Sequence, residues 1–360
     1  MLVGTDLLLQ MVDAGRVIKP GAEGRGDAKL GVLKELPGTW VNAHGVEGHA
    51  WNMIALPFGN PGSLGDFRLL LNQANETLEF DLVDLGVPNR GASGKDQHLA
   101  SLRYLQALDQ LKATDAVSNP DATVKEPATP NTNDTPKTDT LIGGGKVGIH
   151  REPGLFLAIA SLAGPCANLN QPGPDLARLA NIPHGDAVLA MGTSVAPFLH
   201  APDLRNPALL ALFDPMPIGL GSTDINNAYF GPYKHFHDAP FKGNVTAAGF
   251  PGFDPTDPLK LLDGAIAGVF PGSTIKNTST FTVDTDTKGS VSNIPFVQCQ
   301  ANATRVTATF WIQEVETRDG HTHFVLQYAQ RVLLEFFKST LTPSGLIQWP
   351  HISINTLIRK

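Results

Sequence analysis

The C-terminal region, residues 306–360, alternates apolar and polar side chains in long segments that are separated by short turns. A period of two is typical of strands that bury one face. Thr317-Arg318-Asp319-Gly320 lies between two such segments, and its Asp-Gly pair suits a tight reversal. Successive long hairpins predict a mainly β chain that forms an antiparallel up-and-down barrel, which leaves no exposed edge and can enclose a ligand. The apolar faces consist of Val306, Ala308, Phe310 and Ile312, and of Phe324, Leu326, Tyr328, Val332, Leu334 and Phe336.

The composition of the chain favours the same class. Its 360 residues are 42% hydrophobic, which is enough for a substantial core. The 36 glycines and 28 prolines favour a turn-rich β protein over a helix bundle. A net charge of −7 and a pI near 5.9, without any basic run, argue against a nucleic-acid partner.

Sequence features also bear on the location of the protein. Met1–Gln10 lacks the basic region of a secretory signal. No apolar stretch approaches the roughly 18–20 residues that a membrane span needs. We therefore expect a cytoplasmic protein without a membrane partner, in which Cys166 and Cys299 are buried free thiols.

The chain is predicted to form one β-barrel domain over residues 36–360, preceded by an N-terminal extension over residues 1–35. Residues 112–146 contain no aromatic side chain and are rich in Thr, Asp, Pro, Asn and Lys, so we expect a flexible loop there. Residues 200–300 are rich in Pro and Gly and are predicted to form a lid or side lobe.

Local patterns predict the individual elements of this domain. A turn is expected at Asn75-Glu76, a helical pattern spans residues 98–111, and a short helix is expected at Pro258–Ile266, so that the barrel would carry one or two short helices. Further strands are predicted at Thr39–Ala43, Trp51–Leu56, Phe67–Gln73, Thr77–Val83, 147–159, 184–192 and Thr278–Asp284.

Several short motifs occur in the order in which they occur in the nitrobindins, small haem-binding barrels of the calycin group that are related in shape to fatty-acid-binding proteins. Leu36-Pro37-Gly38-Thr39-Trp40 resembles the opening Leu-x-Gly-Thr-Trp of that family, and Ile149-His150-Arg151-Glu152-Pro153-Gly154-Leu155 resembles its His-x-Glu-x-Gly-aromatic segment. Gly185–Gly192 fits a middle strand, and Pro350-His351 with the residues that follow resembles the terminal strand with its axial histidine. These segments cover about a third of the chain, which is far longer than a nitrobindin.

The resemblance implies that the chain binds haem b. It implies that His351 is the axial ligand of the iron and that His150 lies on the distal side, where it could act as an acid or base. It further implies reactions with peroxide, peroxynitrite or nitrogen oxides, as in a haem-dependent peroxidase or a peroxynitrite isomerase. We also expect Trp40, from the opening motif, to contact the cofactor and Arg178 to pair with a haem propionate.

Other interpretations of these residues stay open. His150 and Glu152 share a strand face and could form a purely structural pair. If His351 points inward, Ile352, Ile354 and Ile358 point outward, which requires a helix, an insertion, another subunit (the chain could form a homodimer) or a bulge after Pro350.

Two other functions are also compatible with the sequence. The same barrel could carry a fatty acid or another apolar molecule without metal, in a cavity rimmed by Trp40, Trp51, Phe58 and Phe67. Alternatively, the His-x-His pairs at residues 235–237 and 321–323 could build a nonhaem metal site.

Overall fold

The structure is a computed structural model. It describes residues 23–43, 45–57, 66–91, 96–118, 130–131, 147–159, 175–286 and 289–360.

Strands dominate this part of the chain, as the sequence predicts. The short helices are α1 (Pro207–Leu212), α2 (Gly231–Asp238), α3 (Ala265–Val269) and α4 (Pro295–Gln300), and 3₁₀ turns lie at Ala28–Glu35, Ala228–Phe230 and Pro258–Leu261. The strands are β1 (Gly38–Val41), β2 (Ala50–Leu56), β3 (Arg68–Asn89), β4 (Gln97–Val117), β5 (Pro130–Asn131), β6 (Val147–Ile159), β7 (Leu176–Ile182), β8 (Asp186–Phe198), β9 (Thr274–Asp284), β10 (Ser290–Asn293), β11 (Asn302–Glu316), β12 (Thr322–Lys338) and β13 (Leu346–Arg359).

These strands close into a ten-strand antiparallel barrel. β1 and β2 both pair with β3 on one side and with β13 on the other, so they share one position in the wall. From there the wall continues through β4, β6, β7, β8, β9, β11 and β12 back to β13. Neighbours in the wall follow one another along the chain, which confirms the predicted up-and-down barrel.

The C-terminal hairpin follows the predicted pattern. Phe310 pairs with Tyr328 and Ile312 pairs with Leu326, and all four side chains lie in the barrel interior. Phe336, the last predicted member of the stripe, instead packs outside the barrel. A register shift between residues 336 and 338 interrupts the alternation there.

Two local predictions are wrong. The helical pattern at residues 98–111 belongs to strand β4, which pairs with β3 on one side and with β6 on the other. The expected turn at Asn75-Glu76 lies inside β3, which runs without interruption in the wall. In both places polar side chains point into the barrel and hide the period of two, as Gln106 and Glu76 show.

The number of helices also differs from the prediction. The described residues contain four short α-helices, all in the region 200–300, rather than one or two. A 3₁₀ turn and helix α3 occupy the region of the helix predicted at Pro258–Ile266. The region 200–300, which was predicted to be a lid or side lobe, also contains strand β9 and strand β10, which pairs with β8. The flexible loop predicted over residues 112–146 does not begin at residue 112, because strand β4 extends to Val117.

One end of the barrel is filled by the N-terminal 3₁₀ turn. Leu30, Leu33 and Leu36 are fully buried and belong to the interior cluster together with Trp40. We call this the leucine end; it is where Trp40 pairs with Arg359 at the end of β13. At the opposite end β13 begins and β7 turns into β8.

A second apolar cluster lies on the outside of the wall. Trp51, Ile352 and Ile354 point outward and pack against aromatic residues of the segment 201–273, among them Phe253 and Tyr233. The outward isoleucines are thus covered by the insertion, and β12 and β13 pair without a bulge at Pro350. Because they alternate with His351, their position leaves that histidine facing inward.

Two remaining observations concern cysteines and membranes. Cys299 is free and exposed rather than buried, whereas Cys166 lies outside the described residues. Among the described helices none has the length and apolar character that crossing a membrane would require.

Candidate functional site at the histidine end of the barrel

His351 lies on β13 with its side chain turned toward the barrel interior. It pairs with Val332, an interior residue of β12. Its Nδ1 lies 2.7 Å from the carbonyl oxygen of Met53. Burial lowers its pKa to about 4; the Met53 carbonyl opposes this shift, and His150 and His184 add to it. The ring is therefore neutral near pH 7. Because Nδ1 carries the proton and donates a hydrogen bond to the carbonyl, Nε2 keeps its lone pair.

Two further imidazoles lie across the barrel from His351. His150 is on β6, and His184 is in the turn between β7 and β8, about half of the wall away from β13 in either direction. Their ring centroids are 5.7 Å apart. Burial lowers the pKa of His184, and His150 lowers it further while Asp186 opposes the shift. We call this end, with its three histidines, the histidine end.

Beneath His150 lies a buried ionic network, which we call the arginine network. His150 Nε2 lies 3.1 Å from a carboxylate oxygen of Glu152, and Arg178 contacts the other oxygen at 2.6 Å. Arg178 also donates to the hydroxyl of Tyr104 at 3.0 Å and to the side-chain oxygen of Gln330 at 2.6 Å. Tyr104 in turn donates to Glu152.

Electrostatics fix the charges of the arginine network. Burial alone would raise the pKa of Glu152, but Arg178 and His150 outweigh it and hold that pKa at about 2. Burial raises the pKa of Tyr104 far above its ordinary value. Glu152 is therefore an anion and Tyr104 a neutral donor. Because an anionic carboxylate only accepts hydrogen bonds, His150 carries a proton on Nε2 and donates it in a hydrogen bond to Glu152.

A second buried group surrounds Glu76, and we call it the Glu76 network. Tyr328 and Asn355 both donate to one carboxylate oxygen at 2.6 Å, and Gln106 donates to the other at 2.8 Å. Burial raises the pKa of Glu76, and these three hydrogen bonds oppose the rise. His150 also lowers the pKa of Glu76, so the two networks are electrostatically coupled.

The interior beside these networks is nearly filled. Between the described side chains of the two networks and Phe80, Phe156 and Phe310 the free space is about 10 Å³. This is close to the least volume that one water molecule needs. The arginine network and the Glu76 network together therefore lie between the apolar leucine end and the histidine end.

Two residues predicted to contact a cofactor have other partners in the structure. Trp40 is fully buried at the leucine end, where its indole nitrogen donates to the Leu36 carbonyl at 2.8 Å. Its partner Arg359 lies eight residues along β13 from His351, which corresponds to roughly 26 Å of strand. Arg178 is buried and paired with Glu152, so it is not a free cation for a propionate.

The aromatic residues predicted to rim one apolar cavity lie on different surfaces. Trp51 and Phe67 belong to the outer cluster, whereas Trp40 is in the interior. Phe58 lies outside the described residues.

The His-x-His pairs do not form a metal site in the described part of the chain. His235 and His237 lie on helix α2 rather than on a strand, and His237 contacts a carboxylate oxygen of Asp254 at 2.9 Å. His321 is exposed in a turn, and His323 stacks on a phenylalanine ring. No group of three or more His, Cys, Asp or Glu side chains among the described residues is arranged to hold a metal ion.

The sequence predictions missed two residues of the site. Tyr104 was assigned to a helix and Glu76 to a turn, although both point into the barrel. The alternation of Leu102, Tyr104, Gln106 and Leu108 was the available signal, and the polar member weakened it.

Comparisons with known proteins add little beyond this geometry. No protein-family model matches the chain, and no curated protein matches it. A crystal structure of Rv2717c from M. tuberculosis matches with 12% identity over 92% of this chain and 97% of that chain, at a TM-score of 0.33. RV0216, a conserved hypothetical double-hotdog protein of the same organism, matches with 12% identity over 99% of this chain and 86% of that chain, at 0.12.

Scores this low carry no argument about the present chain. The class of the protein is defined by its own architecture, a closed ten-strand antiparallel β-barrel.

Proposed function

We propose that the protein is a haem b-binding barrel in which Nε2 of His351 would bind the iron, and that it acts on peroxide, peroxynitrite or nitrogen oxides. The observation that carries the proposal is the state of His351. Its ring faces inward at the histidine end, is neutral near pH 7, and is anchored through Nδ1 by the Met53 carbonyl. The resemblance of the Pro350-His351 segment to the nitrobindins supports the same assignment.

The donor chemistry fits a haem. Haem iron takes a neutral imidazole, and ligating histidines usually donate their other ring nitrogen to a carbonyl or carboxylate. The Met53 carbonyl meets this requirement for His351. The space between the two networks in the middle of the barrel is only about 10 Å³, which supports a porphyrin position at the histidine end, where His351 and His150 would hold it.

When bound, haem supplies an iron centre that coordinates oxygen and nitrogen oxides and changes its oxidation state. We assign proton transfer to His150, because its imidazole lies at the histidine end and is held in place there by Glu152. Glu152 holds the ring through Nε2 at 3.1 Å and is itself fixed by Arg178. The structural pairing of His150 with Glu152 and a role in proton transfer are thus compatible, since the pair sets the tautomer.

One experiment can distinguish the two candidate reactions, peroxynitrite isomerisation and peroxide reduction. Isomerisation of peroxynitrite to nitrate needs no net proton and no reductant, whereas peroxide reduction consumes both. His150→Gln would therefore slow peroxide turnover much more than peroxynitrite isomerisation if His150 moves a proton in the peroxide reaction only.

The cytoplasmic location and the homodimer stay predictions.

The test of haem binding is a hemin titration followed by absorption spectroscopy. We expect a one-to-one complex with a Soret band distinct from that of free hemin, and we expect His351→Ala to change this band and weaken binding. His321→Ala is the matched control, because that ring is exposed in a turn far along the chain from the site. An unchanged spectrum for His351→Ala refutes the assignment of the ligand. Native mass spectrometry that finds a lipid and no haem supports the apolar-carrier alternative instead.

A further inference from the structure

The outer surface of the barrel carries a cavity that is separate from the histidine end. It has a volume of about 270 Å³ and lies between helix α3 with its flanking loops and the outer faces of β9, β11 and β12. Apolar side chains form most of its wall, including Leu204, Leu262, Ile266, Phe270 and Ile275. An apolar cavity of about 150 Å³ is enough to bind benzene, so this volume suits a molecule of one or two fused rings.

Two buried glutamines line the cavity on the barrel side. Gln327 donates from its nitrogen to the Leu262 carbonyl at 2.9 Å and to the hydroxyl of Thr356 at 3.1 Å. A carbonyl can only accept, so these bonds fix which end of the Gln327 amide is the nitrogen. Its oxygen accepts from the nitrogen of Gln313 at 2.8 Å.

This chain of hydrogen bonds determines the orientation of Gln313 as well. Because its nitrogen faces Gln327, the remaining polar atom is its oxygen Oε1, which has no hydrogen-bond partner among the described residues. Gln313 is fully buried and lines the cavity. A buried acceptor without a partner is costly, and in native proteins it often marks a place that a bound molecule or water completes.

The charge at the rim of the cavity is small. Asp263 is the carboxylate at this rim, and it helps to raise the pKa of the nearby Arg205 guanidinium. Arg205 is itself paired with Asp257 at 2.9 Å. The rim therefore does not select a strongly charged ligand.

We propose that this cavity is a binding site for a small, neutral, mostly apolar molecule that carries one hydrogen-bond donor, such as an aromatic N–H or O–H. The apolar wall would hold the ring, and Gln313 Oε1 would accept the hydrogen bond. The site depends on the insertion 201–273 and on the outer face of the wall, so it is independent of haem binding.

The experiment compares two probes that have nearly the same shape but differ in the donor. Indole has an N–H, whereas benzofuran has an oxygen at that position and no donor. Ligand-observed NMR titrations of the haem-free protein should give one-to-one binding of indole that is about three- to tenfold tighter than that of benzofuran, the range expected for one net hydrogen bond.

Two variants test the two halves of the proposal. Gln313→Met keeps an apolar side chain of similar length but has no acceptor, so indole and benzofuran should then bind equally. Ala267→Trp fills the cavity from an exposed lining position, so both probes should lose binding. Ala211→Trp is the matched control, because Ala211 is exposed on helix α1 and does not line the cavity.

The contrary results are equally definite. Absence of indole binding, equal binding of both probes to the unaltered protein, or unchanged indole binding by Ala267→Trp would overturn the proposal. Because Ala267 is exposed, we expect this variant to fold even if Gln313→Met does not. Failure of the hemin titration does not affect these outcomes.

Discussion

The two ends of the barrel are closed by different chemistry. At the leucine end the 3₁₀ turn inserts three fully buried leucines among aromatic rings, and the interior there is apolar. At the histidine end three imidazoles surround the interior, above two polar networks. One end therefore provides stability through packing, whereas the other keeps polar and titratable side chains at the cost of apolar burial.

Arg178 gives the largest expected effect on stability, and it lies at the boundary between these two regions. Arg178→Met leaves the buried Glu152 carboxylate without its cation and should destabilise the protein by about 3–5 kcal/mol, as measured by urea unfolding. Arg151→Met is the matched control, because Arg151 is half-exposed and pairs at the surface with Asp109, so its loss should cost at most about 1 kcal/mol. Equal effects of the two variants would mean that the arginine network does not support the barrel.

Leu33 tests the leucine end alone. Leu33→Ala removes a fully buried side chain and should lower the free energy of unfolding by about 2–5 kcal/mol. The affinity for hemin should not change under conditions in which the variant is folded, because Leu33 lies at the far end of the barrel. A large loss of hemin affinity in the folded variant would show that the two ends are not independent.

The pH dependence of stability tests the histidine end with a smaller effect. Burial lowers the pKa of His351 to about 4 from its ordinary value of 6.5, so the unfolded chain binds this proton first as the pH falls. The contribution of His351 to the free energy of unfolding is complete above pH 6.5 and is lost as the pH falls toward 4. Glu152, with a pKa of about 2, loses its contribution mainly below this window.

The measurement is the difference between the unaltered protein and His351→Gln. We expect the stability of the variant to fall less steeply between pH 6.5 and 4, because glutamine does not titrate. His49 and His184, whose pKa values burial also lowers, remain in both proteins and cancel in the difference. Parallel curves would show that His351 is not held neutral by the fold.

The C-terminal strands could be predicted from the sequence because their inward side chains are apolar. Phe310, Leu326 and Tyr328 give a clear period of two, and the barrel and its closing strand follow from it. Of the outward isoleucines that were predicted to need a cover, Ile352 and Ile354 are covered by the insertion.

The sequence pattern failed where the interior is polar. Glu76 and Gln106 point inward, so the pattern of β3 indicates a turn and that of β4 indicates a helix. Their partners come from distant strands, and Tyr328 and Asn355 cannot be assigned to them from local periodicity. The site was hidden because the residues that form it break the local rules of a strand, as functional residues often do.

The pairing of Arg178 also required the three-dimensional structure. An arginine near a predicted haem suggests a propionate partner, but the partner is Glu152, which is supplied by the neighbouring strand β6. The opening motif was similarly ambiguous, because Trp40 packs at the leucine end rather than beside His351.

The central claim is that the iron is held by the imidazole of His351, and chemical rescue tests it most directly. Hemin-loaded His351→Gly should show an altered Soret band, and added imidazole should restore the spectrum of the unaltered protein by occupying the position of the missing ring. If His351→Gly has the unaltered spectrum without imidazole, the iron is held by another residue and the account is contradicted.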